Sequence, residues 1–327
     1  LSKVLGMKNC LLEMKEITKL NNNIRVLNNF NLCVEEGEFH TVVADNEASI
    51  EAIIKILMGE IPSSNYIGDI FINGKKENFN NIKDSERSGI AVIHQKPKFV
   101  PEMTIWENVF LGSEYTKVGF IDKKKCISFA TKALEQVGLN INPNLKLMNL
   151  STFEQHRIEM ARALVKEHKI WVLEDLVAVI SEREIDELFD LLRKIKSIYK
   201  LTFIYVGHKL KEVLNITDRI TFVRDGKTVF CEEAKNYYDD DAEMTMMLGK
   251  ELTKNVFIDS FCESFNISKR EKDILVMLLN GKNNREICAK LCISINTIKT
   301  HISNIYQKTG VNNRVELLKL MLKFKEN

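Results

Sequence analysis

At 327 residues the chain has room for one large domain and one small one, and its 45% hydrophobic and 28% charged side chains describe an ordinary soluble protein with ample core. No apolar run approaches the ~20 residues of a membrane span and no signal-type apolar segment is present, so a cytoplasmic protein that does not itself cross a membrane is expected. The net charge of +2 conceals an asymmetry: Lys and Arg outnumber Asp and Glu by 12 to 5 over residues 267–327 and trail them by 35 to 40 over the first 266. A basic tail on a mildly acidic body points to a polyanion partner for the tail alone. The seven scattered cysteines form neither an even framework nor a Cys-x-x-Cys pair, so reduced, mostly buried thiols are expected. Cys288 and Cys292 lack a His or second thiol pair to complete a zinc set, and no metal site is expected.

From residue 12 to residue 252, short β-rich apolar runs alternate with helical patterns. Strands are expected at 24–27, 30–34, 39–44, 70–72, 90–94, 170–173, 203–206 and 220–223. Several are continuous apolar runs, as in strands buried on both faces of a mostly parallel sheet. Helices are expected at 50–57, 124–137, 154–165 and 182–198. That alternation argues α/β.

Several stretches carry a more specific signal. They include Glu36-Gly-Glu-Phe-His40, Gly68-Asp-Ile-x-Ile-Asn-Gly74, Gly89-Ile-Ala-Val-Ile-His-Gln95, Thr104-Ile-x-Glu-Asn-Val-Phe-Leu-Gly112, Arg157-x-Glu-x-Ala-Arg-Ala-Leu164 and Ile216-Thr-Asp-Arg-Ile-x-x-x-Arg-Asp-Gly226. At these residues the body resembles the ATP-binding cassette (ABC) ATPase domain, particularly its sugar-importer branch. The resemblance implies a P-loop NTPase type of fold with a helical subdomain over residues 9–252.

The chemistry departs from that family. An ABC phosphate loop reads Gly-x-x-Gly-x-Gly-Lys-Ser/Thr-Thr, and here the same place holds Ala44-Asp-Asn-Glu-Ala-Ser-Ile-Glu-Ala52. Ala44, Glu47 and Ser49 replace glycines that let backbone N–H groups wrap phosphates. Ile50 replaces the lysine, and Glu51 the hydroxyl that would hold Mg²⁺. A carboxylate ~4 Å from a phosphate charge is repelled by about 4 kcal/mol at an effective dielectric near 20. The signature Leu-Ser-Gly-Gly-Gln appears as Leu150-Ser-Thr-Phe-Glu154, putting Phe153 and an acid where a phosphate would meet a helix N-terminus. The Walker B ending Asp-Glu-Pro becomes Glu174-Asp175-Leu176, and only Gln95 and His208 survive. Because the phosphate loop and the signature are both altered, pairing with an intact partner still leaves each shared site half defective. No catalytic residue, bound nucleotide, cofactor or metal is expected, and the body reads as a pseudo-ATPase.

Residues 253–265 read as a linker, and 266–327 as a small helical domain. Ser268-Lys-Arg-Glu271 is a capping box opening a helix with Ile274, Leu275, Leu278 and Leu279 inward, closed by Gly281. Asn283-Asn-Arg-Glu286 starts a short helix carrying Ile287 and Leu291. Ser294 sits where an N-cap belongs for a helix to Lys308. On it Ile298, Ile302 and Ile305 share one side, while Asn296, Lys299, Thr300, Ser303 and Gln307 fall opposite with no acid among them. Amides, hydroxyls and a lysine are the groups that reach base edges and phosphates in the major groove. A fourth helix follows Gly310, with Val315, Leu318 and Leu322 on one side.

These residues, with Asn284-x-Glu-Ile, Leu291-x-Ile-Ser294, Thr297-Ile-Lys-x-His301, Lys308 and Val311-x-x-Arg314, resemble the LuxR-family C-terminal DNA-binding domain. Cys292 departs from the family, which often carries Gly there. The resemblance implies a four-helix module around a helix-turn-helix, bound as a homodimer to double-stranded DNA. It places Lys299, Thr300 and Ser303 on base edges. Thr297, His301, Asn304 and Lys308 flank them toward phosphates, and Asn284 and Arg285 steady the backbone from the preceding helix. The expected function is a sequence-specific transcription regulator whose inactive ABC-like module serves sensing, dimerisation or docking. In the ABC family the Gln95 region and helical subdomain face a membrane permease, so a permease subunit is a further candidate partner. The alternative is the ATP-binding subunit of a sugar-type importer with an accessory DNA-binding tail.

Overall fold

The structure, a computed structural model, describes residues 10–147, 150–208, 210–234, 255–279, 284–291, 293–312, 316–317, 320–321 and 324. The chain divides into two compact units that part after Ala234. The larger is α/β, the smaller helical.

In the larger unit a six-stranded sheet forms the centre. Its strands are β3 (Phe39–Ala44), β6 (Ile90–Ile93), β9 (Ile170–Glu174), β10 (Thr202–Gly207), β11 (Arg219–Arg224) and β12 (Lys227–Glu233), in the spatial order β12-β11-β3-β10-β9-β6. All neighbours pair in parallel except β12, which runs antiparallel on β11. Every residue of β3 and β10 is buried, which is why these strands read as continuous apolar runs. His40 and Thr41 are the polar members of β3, and Thr41 shares a hydrogen bond with the Thr217 hydroxyl at 2.8 Å while His40 is held by its neighbours. The His40 ring lies 2.8 Å from a Glu38 carboxylate oxygen and 2.7 Å from the Thr221 hydroxyl, so its polar atoms are satisfied without water.

A second, antiparallel sheet joins β1 (Cys10–Asn21), β2 (Ile24–Glu35), β4 (Ile67–Ile72) and β5 (Lys75–Glu77) in the order β2-β1-β4-β5. The helix α1 (Glu47–Leu57) is held between the sheets: its Ile53, Ile56 and Leu57 share one core with Met14 and Phe30 of the second sheet and Val172 and Ile204 of the first. The strands expected at 24–27 and 30–34 are one strand, continued through Asn28 and Asn29, the latter at φ 57°. β1 escapes a reading of apolar runs because Lys15 and Glu16 interrupt Leu12, Met14 and Ile17. The expectation of reduced thiols needs correction. The β1–β2 pairing brings the Cα atoms of Cys10 and Cys33 to 5.6 Å, within disulfide reach, and the two are bonded. Cys126, Cys231, Cys262 and Cys288 are free.

A short helix, α2 (Ile82–Arg87), precedes β6, and three further helices pack against one another as a subdomain: α3 (Ile105–Phe110), α4 (Lys123–Gln136) and α5 (Thr152–Val165). Between α3 and α4 a short hairpin projects, β7 (Thr116–Lys117) paired with β8 (Phe120–Ile121). The long helix α6 (Glu182–Tyr199) is amphipathic, burying Leu188, Leu191, Leu192 and Ile195, and opens on a capping box of Ser181 with Glu184.

The smaller unit begins, among the described residues, with a helix where a linker was expected. α7 (Asn255–Ser264) buries Ile258, Phe261 and Cys262 in the core of this unit, so these residues are structural members of it. That core also takes Ile274, Leu275 and Leu278 of α8 (Lys269–Leu279), Ile287 of α9 (Asn284–Leu291) and Ile298 and Ile305 of α10 (Ile295–Thr309). Leu317 and Met321 complete it from the last helical stretch. The expected contact residues Val315, Leu318 and Leu322 lie outside the described residues. Among the described residues no helix is long and apolar enough to cross a membrane.

Candidate functional site

Ser294 opens α10 in extended geometry, its hydroxyl accepting the Thr297 N–H at 3.2 Å, and Gly310 closes it at φ 70°. Ile298 and Ile305 are fully buried, and their burial fixes the helix roll. Asn296, Thr297, Lys299, Thr300, Ser303, Asn304 and Gln307 are thereby turned outward, all exposed. No acidic side chain occurs anywhere on α10. The Thr300 hydroxyl donates to the Asn296 carbonyl at 3.0 Å, which leaves its oxygen lone pairs facing out as acceptors. An acid-free surface of amides, hydroxyls and one lysine, mounted on a rigid helix, can donate and accept hydrogen bonds without repelling a polyanion.

Two residues of the expected flank are engaged or partly covered within the small unit itself. Lys308 donates to a Glu271 carboxylate oxygen at 2.7 Å and to the Asn266 carbonyl at 2.9 Å. Glu271 is buried and also closes the capping box of α8 with Ser268. Burial alone pushes its carboxyl up. The hydrogen bonds from Lys308 and Ser268 outweigh that and hold it below the usual glutamate range. Lys308 therefore ties α10 to the start of α8 instead of standing free for a phosphate. His301 is half-buried, and its Nδ1 has no partner among the described residues. Asn284 and Arg285 begin α9, and their side chains lie outside the described residues.

The phosphate-loop position in the larger unit is closed by its own residues. Only Asp45 and Asn46 separate β3 from α1. Asn46 caps the helix, its side-chain oxygen accepting the Ser49 N–H at 2.8 Å, and the buried Ser49 hydroxyl donates to the Val26 carbonyl at 2.9 Å. Ile50, where the family has its lysine, is 4% exposed and sits in the core between the sheets. Ala44 and Ala52 are buried as well, Glu47 is exposed, and Glu51 pairs with Lys55 at 2.7 Å on the helix surface. The helix end that would meet a phosphate is capped internally and faces solvent with carboxylates.

The signature position is similar. Ser151 and Glu154 form a reciprocal capping box, with Glu154 accepting the Ser151 N–H at 2.8 Å, and Phe153 is buried with the Arg157 guanidinium 4.3 Å above its ring. At the end of β9, Asp175 adopts a left-handed conformation at φ 36° and is buried. Its carboxylate accepts from the Tyr205 hydroxyl and lies 3.0 Å from the His208 ring. A Cβ on Gly207 would stand 2.7 Å from that carboxylate, which is why β10 ends on glycine. Glu174 accepts the Gln95 N–H at 3.4 Å.

Reading motifs alone misses what pins the Gln95 loop. Glu159 of α5 receives the His94 N–H at 2.9 Å and lies 2.7 Å from its ring, and His156 donates to the carbonyls of His94 and Gln95, each at 3.1 Å. Burial lowers the pKa of His156. Asn46 was the more legible omission, because an Asn directly before a helical run is a standing N-cap signal.

Comparison with known proteins identifies a domain type in each of the two units. Residues 266–321 match the bacterial regulatory proteins of the luxR family, and residues 27–178 match the ABC transporter family. The chain is 40% identical over 248 residues to the xylose import ATP-binding protein XylG of Thermoanaerobacter pseudethanolicus, covering 76% of this chain and 49% of that protein. It is 37% identical over 243 residues to the Histophilus somni protein of the same name, covering 74% and 48%. The chain thus spans about half the length of the curated relatives it matches. The ADP conformation of MJ1267, an ATP-binding cassette of an ABC transporter, superposes with a TM-score of 0.63 at 22% identity, covering 74% of this chain and 100% of that one. A nucleotide-free ATP-binding cassette gives 0.61 at 21% identity, covering 68% and 91%. At those identities the likeness concerns the fold.

Proposed function

We propose, from the premise that this chain joins an ABC transporter-type domain to a luxR-type helix-turn-helix domain, that it is a sequence-specific transcription regulator whose ABC-type body does not hydrolyse ATP. One observation carries the DNA-binding part: the exposed, acid-free stripe of α10 around Lys299, Thr300 and Ser303. In this reading that helix enters the major groove, and two copies bind inverted half-sites about one helical turn apart. The protein works in the cytoplasm, where its DNA is.

The pseudo-ATPase part is supported by Asn46 capping α1, by Ile50 lying in the core where a phosphate-binding lysine would stand, and by the buried Phe153. The body then serves as a control surface, and the Gln95 face of the helical subdomain is where a permease subunit would dock. The similarity to xylose import ATP-binding proteins over three-quarters of the chain favours a second reading, an importer subunit with a DNA-binding tail.

Two measurements separate these readings. Calorimetry with ATP and Mg²⁺, followed by phosphate release, is expected to give neither binding nor turnover, and turnover would establish the importer reading. Duplex binding across candidate promoters is expected at low salt. Absence of any DNA complex near about 50 mM salt, where phosphate contacts are strongest, sinks the regulator reading.

A further inference from the structure

The hairpin of β7 and β8 answers to neither function. Its turn is Val118-Gly119, at φ 52° and φ 80°. Positive φ at both central residues belongs to the tight hairpin turn that favours Asn-Gly, and a β-branched valine there is strained. The strained residue is not compensated by packing, since Val118 is 90% exposed and the neighbouring Phe120 and Ile121 are 80% and 53% exposed. A folded domain gains nothing in isolation from holding three apolar side chains in water on a strained turn.

The surroundings are basic. Lys117, Lys123, Lys124 and Lys125 are all exposed around the tip. Over residues 114–132 five lysines face two acids, on a body where acids are in excess. One of those acids, Asp122, uses its carboxylate to accept the Lys125 N–H and cap α4. The Lys125 ammonium rests 4.1 Å above the Tyr115 ring, which holds it beside the hairpin.

We propose that this hairpin is a docking tip for an anionic phospholipid surface, with Val118, Phe120 and Ile121 entering the headgroup boundary and the lysines meeting lipid phosphates. Apolar side chains ringed by lysine are the arrangement that interfacial anchors use, and each lysine near an anionic leaflet raises partitioning roughly fivefold. A nucleic-acid backbone would use the lysines but would offer the three apolar side chains nothing to bury against. The inference is independent of the DNA-binding reading.

The test uses the full chain and vesicles of purified phosphatidylcholine, with or without about a quarter phosphatidylglycerol, so that no permease is present. The basic tail can itself adhere to anionic vesicles, so the readout is placed at the tip. Trp106 and Trp171 are buried, and a Phe120→Trp variant therefore reports its own environment. We expect its emission to shift to the blue, and to be quenched by brominated lipid, on phosphatidylglycerol vesicles but not on phosphatidylcholine alone. Combined Val118→Ser and Phe120→Ser should weaken vesicle binding tenfold or more. Val118→Asn should raise the melting temperature by relieving the turn while weakening vesicle binding, a split that a purely structural role would not produce. Unchanged emission from the Phe120→Trp variant overturns the proposal, as does an equal shift and equal quenching on phosphatidylcholine vesicles alone. If Lys123→Gln with Lys124→Gln instead weakens random-duplex binding and spares vesicle binding, the tip is a nucleic-acid surface and the proposal also fails.

Discussion

The N-termini of α1 and α10 use the same local device and end in opposite states. Each helix is entered through a polar cap, Asn46 in one and Ser294 in the other, that accepts the N–H three residues on. After the cap they diverge. On α1 the next residues are a buried Ser49 and Ile50 flanked by Glu47 and Glu51, so the end is sealed from within and negative outside. On α10 they are exposed amides, hydroxyls and Lys299. A helix N-terminus attracts anions through its free N–H groups and dipole. The cap is common to both ends, so the contrast teaches that this attraction is decided by the exposed face beside the cap, acidic on α1 and free of acid on α10.

The largest effect is expected from forcing α1 back toward its family's chemistry. Ile50→Lys places an ammonium at a position in the core, and should cost about 2–5 kcal/mol of the body's stability in urea unfolding. Under the proposed pseudo-ATPase reading it should not by itself confer ATP binding, because Asn46, Glu47 and Glu51 remain. Micromolar ATP binding by this variant would break the comparison, showing that lysine was the single missing element.

Acid should next separate the two units. Burial holds His168 at about 4, below its ordinary 6.5, so the folded body binds fewer protons than the unfolded chain between those values. Its contribution is complete above about pH 6.5 and is lost as pH falls toward 4, on the order of 2–3 kcal/mol in all. Glu271 in the small unit also has a depressed pKa, but its contribution persists above 4.5 and is lost only as pH falls through its lower folded value. Chemical unfolding from pH 7 to pH 4 should therefore weaken the body first. A His168→Asn body whose pH slope equals the parent's would show that another group carries it.

On α10 the comparison is sharpened by two lysines. Lys299→Ala should cost ~1–3 kcal/mol on a cognate duplex and much less on random DNA, as expected for a base contact. Equal losses on both duplexes would reduce Lys299 to a phosphate contact. Lys308→Ala should instead lower the small unit's stability by about 1 kcal/mol, since it leaves the buried Glu271 carboxylate short of a partner that is itself part-exposed. Its effect on the salt slope should be small, and a slope reduced by a full unit would return it to the phosphates.

The smallest pair is the caps. Asn46→Ala and Ser294→Ala should each cost ~1 kcal/mol, the first read in the melting of the body and the second in that of the small unit. Only the second should also weaken DNA binding. If Asn46→Ala lets inorganic phosphate protect the body from unfolding, the seal on α1 is the cap alone.

What could be read along the chain were features set by near neighbours. The period of Ile298, Ile302 and Ile305 located the outward stripe, the Ser268–Glu271 and Ser294 signals located helix starts, and the apolar runs of β3 and β10 announced a buried parallel sheet, because these patterns repeat within one or two turns. The loss of glycines and lysine at 44–52 was equally plain in the letters, but not that Asn46 would fill the gap. Tertiary structure alone decided the remainder. Lys308 meets Glu271 across 37 residues, Cys10 meets Cys33 through strand register, and α7 joins the small core through Ile258 and Phe261. Such partners are chosen when distant segments compete to bury apolar surface and to satisfy the charges carried with it, and no local pattern records that outcome.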